Sequence, residues 1–368
     1  MQGESGPDEK LWLADDVLTR LVDAAPTLDA LRKHRLHLAA ARLWRSRGLE
    51  VPPDLVADER AAAVCAMLTR FVLGKARCAY GGALMLMKGP EVAAHYPVPS
   101  DRPFSDLDLL VEDPAAAQRA LIEAGFVESG DPAAYAGLQH LPPLIWPGAP
   151  LAVEVHRHPS QPFWLAPASA ESILPTAVQS TVGVPGVLAP EPAAHAVLLV
   201  AHAWADGLLG RVGQLLDTAA LLACSDRRRA DYFARAWGWE GMWNTTLAIM
   251  DAVIGGKRPG LALKLWARHL LDVRERVVLE NHISRLTAPV CSLPAGDVPR
   301  AISYTLRYTA SPDREEDWMT QLRRSSLAIA HAFRPQSEHE RSLAWIGPRT
   351  TPRRPRSMGA RRHKSAHR

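Results

Sequence analysis

Apolar residues recur at three- and four-residue intervals through the first 75 positions, in EKLWLADDVLTRLVDAA, TLDALRKHRLHLAAARLWRSRG and LVADERAAAVCAMLTRFVLGK. Pro26, Gly48, Pro52 and Pro53 punctuate these segments, so the period predicts helices and no strand. The pattern then changes. ALMLM, residues 83–87, is an unbroken apolar run of strand length that leads into Lys88, Gly89 and Pro90. Proline suits the first turn of a helix, where its missing N–H has no partner to lose, so EVAAHY is expected to continue that turn. SDLDLLV, residues 105–111, alternates with period two: Leu107, Leu109 and Val111 face one way, Asp106, Asp108 and Leu110 the other. DPAAAQRALIEAGF follows as a helix with Asp113 as N-cap, Pro114 at its first position and Gly125 at its end.

LQHLPPLIW and LAVEVH flank the turn PGAP and read as a hairpin, in whose second arm Val153 and Val155 alternate with Glu154 and His156. Pro142 and Pro143 make the first arm an edge or a bulged strand. Beyond residue 190 the helical period returns in EPAAHAVLLVAHAWADG, RVGQLLDTAALLAC, DRRRADYFARAW and LALKLWARHLLDVRERVVLENHISRL. The expected class is α+β, with a small mixed sheet between helical sections. The expected division is a helical section over 1–75, an α/β core over 76–160, a Pro-, Ser- and Ala-rich connector over 161–190, a helical domain over 191–334 and a basic, disordered tail over 335–368.

Composition narrows the class. At 368 residues and 47% hydrophobic content the chain is long enough for two domains with a sizeable core. Its four cysteines, Cys65, Cys78, Cys224 and Cys291, are far apart and form no C-x-x-C pair, so a reducing cytoplasm is the expected compartment. No export signal is evident, and the longest apolar segment, AVLLVAHAWA, is short and interrupted by His202, so no membrane span is expected. The formal charge of +4 does not favour a nucleic-acid partner. Eight Lys or Arg and no acid lie from Arg349 to the end, and subtracting them leaves −4 on the rest. The tail also lacks aromatic residues to stack on bases.

The chemistry lies in the acids. Two carboxylates side by side raise each other's pKa and resist burial without a cation or hydrogen-bond donors, unless the strand is simply an edge whose polar face meets water. Glu154, on the next strand with matching alternation, supplies a third. Three carboxylates make a divalent-cation site, and magnesium, with manganese as the alternative, takes hard oxygen ligands while keeping places for phosphates.

The succession Lys88-Gly89, Tyr96-Pro97, Arg102-Pro103, Ser105 to Val111, Ala124 to Phe126 and Val153 to His156 resembles an uncharacterised nucleotidyltransferase family of the DNA polymerase β-like superfamily. His202, Arg211 and Asp217 match residues that this family places along two later helices. The resemblance extends over residues 30–335 at the level of fold and is specific over 86–156. It implies a polymerase β-like nucleotidyltransferase sheet and transfer of a nucleoside monophosphate from a nucleoside triphosphate to a hydroxyl or phosphate of an unidentified acceptor. By the same resemblance Asp106, Asp108 and Glu154 are the metal ligands and catalytic residues. Lys88, Gly89, Arg102, Ser105, His202, Arg211 and Asp217 are substrate-binding, with Lys88 and Arg102 carrying the phosphate grip because Pro90 offers no amide. Asp108→Asn is expected to abolish metal-dependent nucleotide binding and leave the thermal melt largely unchanged.

Plainer roles compete. Lys88 is also an ordinary solvated strand end, Arg102 a partner for Asp101 or Asp106, Glu154 a polar-face residue, His156 and His202 satisfied core histidines, and Arg211 with Asp217 a tie between helices. Two other functions also compete. One is a nucleotide-binding module without turnover. The other is a metal-dependent glycosyltransferase, which D-x-D would suit, although helices precede the motif where such enzymes need a nucleotide-binding α/β half.

Overall fold

The computed structural model describes residues 13–343 apart from 136–137, 261–265, 311 and 313–316. The basic tail beyond residue 343 and the start of the first predicted helix lie outside the described residues.

Four helices open the chain: α1 (Asp15–Ala24), α2 (Leu28–Lys33), α3 (His37–Ser46) and the 27-residue α4 (Pro53–Ala79). The single helical pattern from Thr27 to Gly48 is thus broken into α2 and α3. Arg35 takes a left-handed conformation at φ 59°, its N–H donates to the Arg32 carbonyl at 3.0 Å and the Leu36 N–H donates to the Leu31 carbonyl at 2.8 Å. This is the pair of bonds with which a glycine usually ends a helix. Leu31 and Leu36 are buried on either side of the break, so packing at both ends holds the kink.

The middle of the chain supplies β1 (Leu84–Leu86), α5 (Pro90–Ala93), β2 (Asp106–Val111), α6 (Pro114–Glu123), β3 (Val127–Glu128), β4 (Leu144–Ile145) and β5 (Ala152–His156). Next come α7 (Ala170–Ile173), β6 (Ala177–Gln179) and β7 (Leu188–Pro190). They form one mixed seven-stranded sheet in the order β3-β4-β5-β2-β1-β7-β6. The hairpin forms as β4 and β5, and β5 also lies parallel to β2. β6 and β7 correct the expected connector: this stretch extends the sheet beyond β1. Strands of three residues are too short for alternation to stand out against the surrounding proline and serine.

The last part is helical, with α8 (Pro192–Ala205), α9 (Val212–Leu222), α10 (Arg227–Ala236), α11 (Glu240–Val253), α12 (Arg268–Leu271), α13 (Val278–Ser292), α14 (Val298–Ala310), α15 (Trp318–Ala330) and α16 (Gln336–Leu343). The helix expected to run from Leu261 to Leu286 is broken between α12 and α13, where Val273 has φ 44°. The expected disordered tail also begins too early. Residues 336–343 are helical and pack on α13 and α15, with His339 buried. No helix among the described residues is long and apolar enough to cross a membrane.

Period-two alternation divides the core. Leu107, Leu109, Val111, Val153 and Val155 face α4 and α6 and pack with Val72, Leu73, Ala117 and Leu121. Leu110 and Met85, on the other face, join the helical core with Val197 and Leu216 from α8 and α9. The acidic positions of β2 and β5 share this second face. They therefore look toward α8 and α9 and line a cleft between sheet and helices.

Candidate active site

β2 and β5 pair in parallel with Asp106 opposite Ala152, Asp108 opposite Glu154 and Leu110 opposite His156. Side chains directly opposite each other in a ladder project to the same side, so this register alone brings Asp108 and Glu154 together. Oxygens of Asp108 and Glu154 and a ring nitrogen of His156 lie within 4.8 Å of one another, the one such group of potential metal ligands among the described residues. Asp106 lies outside this tight group but close to it. Burial, then the charge of Asp108, raise the Asp106 pKa, with Glu154 adding to the effect. Of the expected ligands the structure thus groups Asp108 with Glu154 and adds His156, which the sequence left as a sheet histidine.

The cluster is charge-compensated by the chain itself. Asp108 is 0% exposed, and its Oδ1 accepts from the Lys88 ammonium at 2.6 Å and from His156 Nε2 at 2.9 Å. Burial alone would raise the Asp108 pKa, but Lys88 and His156 outweigh it and hold the carboxyl well below its usual range. Burial opposes the charge of Lys88 and His156 in turn, yet the carboxylates raise both pKa values. His156 Nε2 also lies 3.5 Å from Glu154 Oε2, and His140 Nε2 lies 3.8 Å from the same oxygen. Two atoms of the cluster are left out: Asp108 Oδ2 and His156 Nδ1 are buried with no hydrogen-bond partner. A buried carboxylate oxygen without a donor is costly unless a cation reaches it, so the donor set fits a hard divalent ion.

A cavity of about 540 Å³ opens in front of the cluster. Lys88, Ser105, Asp106, Glu154, His156 and His202 reach its wall, whereas Asp108 lies behind Lys88. Gly89 is also set back, and its role is steric. It has φ 63°, and a Cβ there would come within 2.7 Å of the Asp106 carbonyl, so only glycine lets the chain turn this tightly over β2. α5 is a single turn that starts with Pro90, which leaves the phosphate grip to side chains.

Arg102 also lines this cavity, but its guanidinium is engaged by the protein itself. Its Nε and Nη2 donate to the two oxygens of Asp217 on α9 at 2.7 and 2.9 Å, and its Nη1 donates to the Gly89 carbonyl at 2.8 Å. The Tyr96 hydroxyl donates to the same Asp217 carboxylate at 2.7 Å. Arg102 and Asp217 are both buried, so their charges are spent on each other across the boundary between sheet and helices. The suggested partners of Arg102 are corrected too, since Asp101 pairs with Arg42 instead. Arg211 pairs with Asp206 at 3.1 Å at the cavity rim. On α8, His195 bonds the Met87 carbonyl in the core, whereas His202 faces Lys88 with its Nδ1 unpartnered.

Sequence reading missed Arg35. It lines the cavity, its guanidinium has no hydrogen-bond or ion-pair partner among the described residues, and its charge partly offsets the rise that burial causes in the Asp106 pKa. Its backbone is clamped by α9: the Val212 N–H donates to His34 Nδ1 at 3.1 Å and the Gly213 N–H to the His34 carbonyl at 2.9 Å. A Cβ on Gly213 would lie 2.9 Å from Arg35 Cβ, so the glycine permits this close approach. An arginine at a left-handed position costs about 1 kcal/mol relative to glycine, and such strain concentrates where a side chain is needed. Nothing in the unbroken helical pattern from Thr27 to Gly48 signalled this position.

A neighbouring cavity of about 620 Å³ shares the walls Ala62, Arg102 and Phe104. Arg42 and Arg45 at its edge are paired with Asp101, Asp15 and Glu59, whereas Arg70 bonds only the Val182 carbonyl among the described residues.

The buried histidines make stability depend on acid. Burial lowers the pKa of His34 and His195 to about 4 and that of His202 and His269 well below 6.5. Between pH 6.5 and about 4 the unfolded chain therefore binds more protons than the native one. Stability contributed by these neutral rings is present above pH 6.5 and is lost as the pH falls, by about 1.4 kcal/mol per group and pH unit. Urea unfolding at pH 7 and pH 5 should give a clearly lower unfolding free energy at pH 5, and equal values would contradict this.

No curated protein and no solved structure matches the chain. Residues 22–253 match the family described as uncharacterised nucleotidyltransferase, a span that holds the sheet, the acidic cluster and the α8–α9 wall but stops short of the expected limit at residue 335. This match covers more than half of the 368 residues, and the chain belongs to that family.

Proposed function

We propose that the protein moves a nucleoside monophosphate from a nucleoside triphosphate to a hydroxyl or phosphate of an acceptor, with release of pyrophosphate. The observation that carries this reading is the in-register pairing of Asp108 with Glu154, with Asp106 alongside, at the back of a cavity that also holds an unpaired arginine. Asp108, Glu154 and Asp106 would hold magnesium or manganese, with His156 Nε2 next to them, and the bound ion would supply charge to neutralise the phosphates. Arg35 takes phosphate oxygens. Lys88 holds Asp108 in the absence of the cation and turns to the triphosphate when Asp108 is engaged. Glu154, partly exposed at the cavity wall, is the base available to the acceptor's proton. The tie between Arg102 and Asp217 fixes the turn that carries Lys88.

A second reading, a nucleotide-binding module without turnover, is favoured by the ammonium already seated on Asp108 and by the one-turn α5. The two are separated by measuring nucleotide binding with and without the divalent ion and then pyrophosphate release over a panel of hydroxyl- and phosphate-bearing acceptors. Metal-dependent binding with release supports transfer, and binding without release over the panel favours the module. Binding that ignores the ion overturns transfer and leaves the module, and no nucleotide binding under either condition overturns both.

Arg35→Gly is a specific check. Glycine suits φ 59°, so the unfolding free energy should not fall, while removal of the guanidinium should weaken magnesium–nucleotide binding about tenfold, or 1.4 kcal/mol. Unchanged nucleotide affinity would remove Arg35 from the site.

A further inference from the structure

A second constellation of reactive groups lies apart from the carboxylates. Cys224 is exposed just beyond the C-terminal end of α9, and its Sγ is 3.3 Å from His95 Nδ1. The other ring nitrogen, His95 Nε2, is 3.7 Å from Glu91 Oε1. Glu91 is only 2% exposed and is itself held in place. The Ser180 hydroxyl and the Thr181 N–H donate to its Oε2, and the Thr181 hydroxyl donates to its Oε1 at 3.1 Å. The order is thiol, imidazole, carboxylate, the same succession of nucleophile, base and orienting group that activates catalytic cysteines.

We propose that Cys224, His95 and Glu91 form a nucleophilic thiol centre that exchanges with low-molecular-weight disulfides. In the reactive form the proton shared by the pair sits on His95 Nδ1, and the Cys224 thiolate attacks one sulfur of the disulfide. A new S–S bond forms to Cys224 as the old one breaks, and the departing thiolate takes the proton from His95. The incoming disulfide is the only oxidant, and the product is a mixed disulfide on Cys224 plus one free thiol.

The surroundings show why the imidazole is needed. Past the end of α9 the helix dipole is negative, and the Leu221 and Ala220 carbonyls lie 3.2 and 3.6 Å from Sγ. Neither feature favours negative charge on a sulfur, whereas an adjacent imidazolium does. Burial disfavours the charged form of His95, but the contacts with Cys224 and Glu91 outweigh burial and raise its pKa to about 9. From α8, His195 also acts on Glu91, but burial lowers its pKa to about 4, so it stays neutral near pH 7. Ser180 and Thr181 bring no charge. His95 is therefore the one cationic group set between the Glu91 carboxylate and the Cys224 sulfur.

The molecule carries its own controls. Cys78 is exposed on α4 and serves as the reference, and Cys65 is buried and reacts only if the protein opens. The full-length protein is treated with oxidised glutathione from pH 6 to pH 9, and the modification of each cysteine is followed by peptide mass spectrometry. At pH 6.5 Cys224 should form the mixed disulfide about tenfold faster than Cys78 or more, with the advantage shrinking toward pH 9. His95→Gln should bring Cys224 to or below the rate of Cys78 while Cys65 stays silent, and Glu91→Gln should fall between. Cys224 reacting no faster than Cys78 at pH 6.5, or keeping its rate in His95→Gln, overturns the proposal. If either variant exposes Cys65, the pH profile of the unaltered protein decides: a Cys224 rate that rises only in parallel with Cys78 overturns it, and early reaction supports it.

Discussion

Asp108→Asn should weaken metal-dependent nucleotide binding by about a hundredfold or more and should also destabilise the protein. The alternating strand by itself implied that stability would be spared. The structure changes that expectation, because the Asp108 carboxylate is fully buried and holds both Lys88 and His156. Removing its charge leaves an ammonium and an imidazole without their main counter-charge, and breaking a buried pair in this way costs about 3–5 kcal/mol. A lost melt would then obscure the lost binding. Glu154→Gln separates the two effects. Its side chain is 21% exposed and its two ion-pair contacts lie at 3.5 and 3.8 Å, so the melt should move little while binding of the metal and the metal-dependent nucleotide falls. Isothermal titration with manganese, with and without nucleotide, combined with urea unfolding of both variants, checks this. A Glu154→Gln protein that binds manganese and nucleotide like the parent would show that Glu154 is not a ligand.

Arg102→Leu should lower the unfolding free energy by about 3–5 kcal/mol, a large part of the stability of a typical domain. It leaves Asp217 as a buried carboxylate with only the Tyr96 hydroxyl as a donor, and it frees the Gly89 carbonyl. Removing both charges is less damaging. The double variant Arg102→Leu with Asp217→Leu should recover more than half of the loss, because no uncompensated charge remains. A phosphate-binding arginine would behave in the opposite way, with weaker nucleotide binding, an unchanged melt and no rescue by the second substitution. Urea unfolding of the two single variants and the double variant distinguishes the cases. A single variant as stable as the parent would return Arg102 to the substrate.

The residues most legible in the sequence are those whose placement depends on local backbone geometry. Alternation in SDLDLLV and AVEVH fixed which side chains share a face, and the hairpin at PGAP placed the second strand beside the first part of the sheet. Less legible were elements too short for their period to register, such as β6 and β7, or breaks inside a good helical pattern, such as that at Arg35. Least legible were the partners. Arg102 and Asp217 are 115 positions apart, and His95 and Cys224 are 129 apart.

The amino-acid order alone therefore determined the class of fold, the strand that carries two acids and the face on which a third would join them, because pleating and hydrophobic burial act over a few neighbouring residues. Tertiary structure decided which charge meets which. It put Lys88 and His156 on Asp108, turned Arg102 inward to Asp217 and left Arg35 open to the cavity. Pairing of this kind follows from which groups lose water together when distant segments pack, and no short window of sequence contains that information.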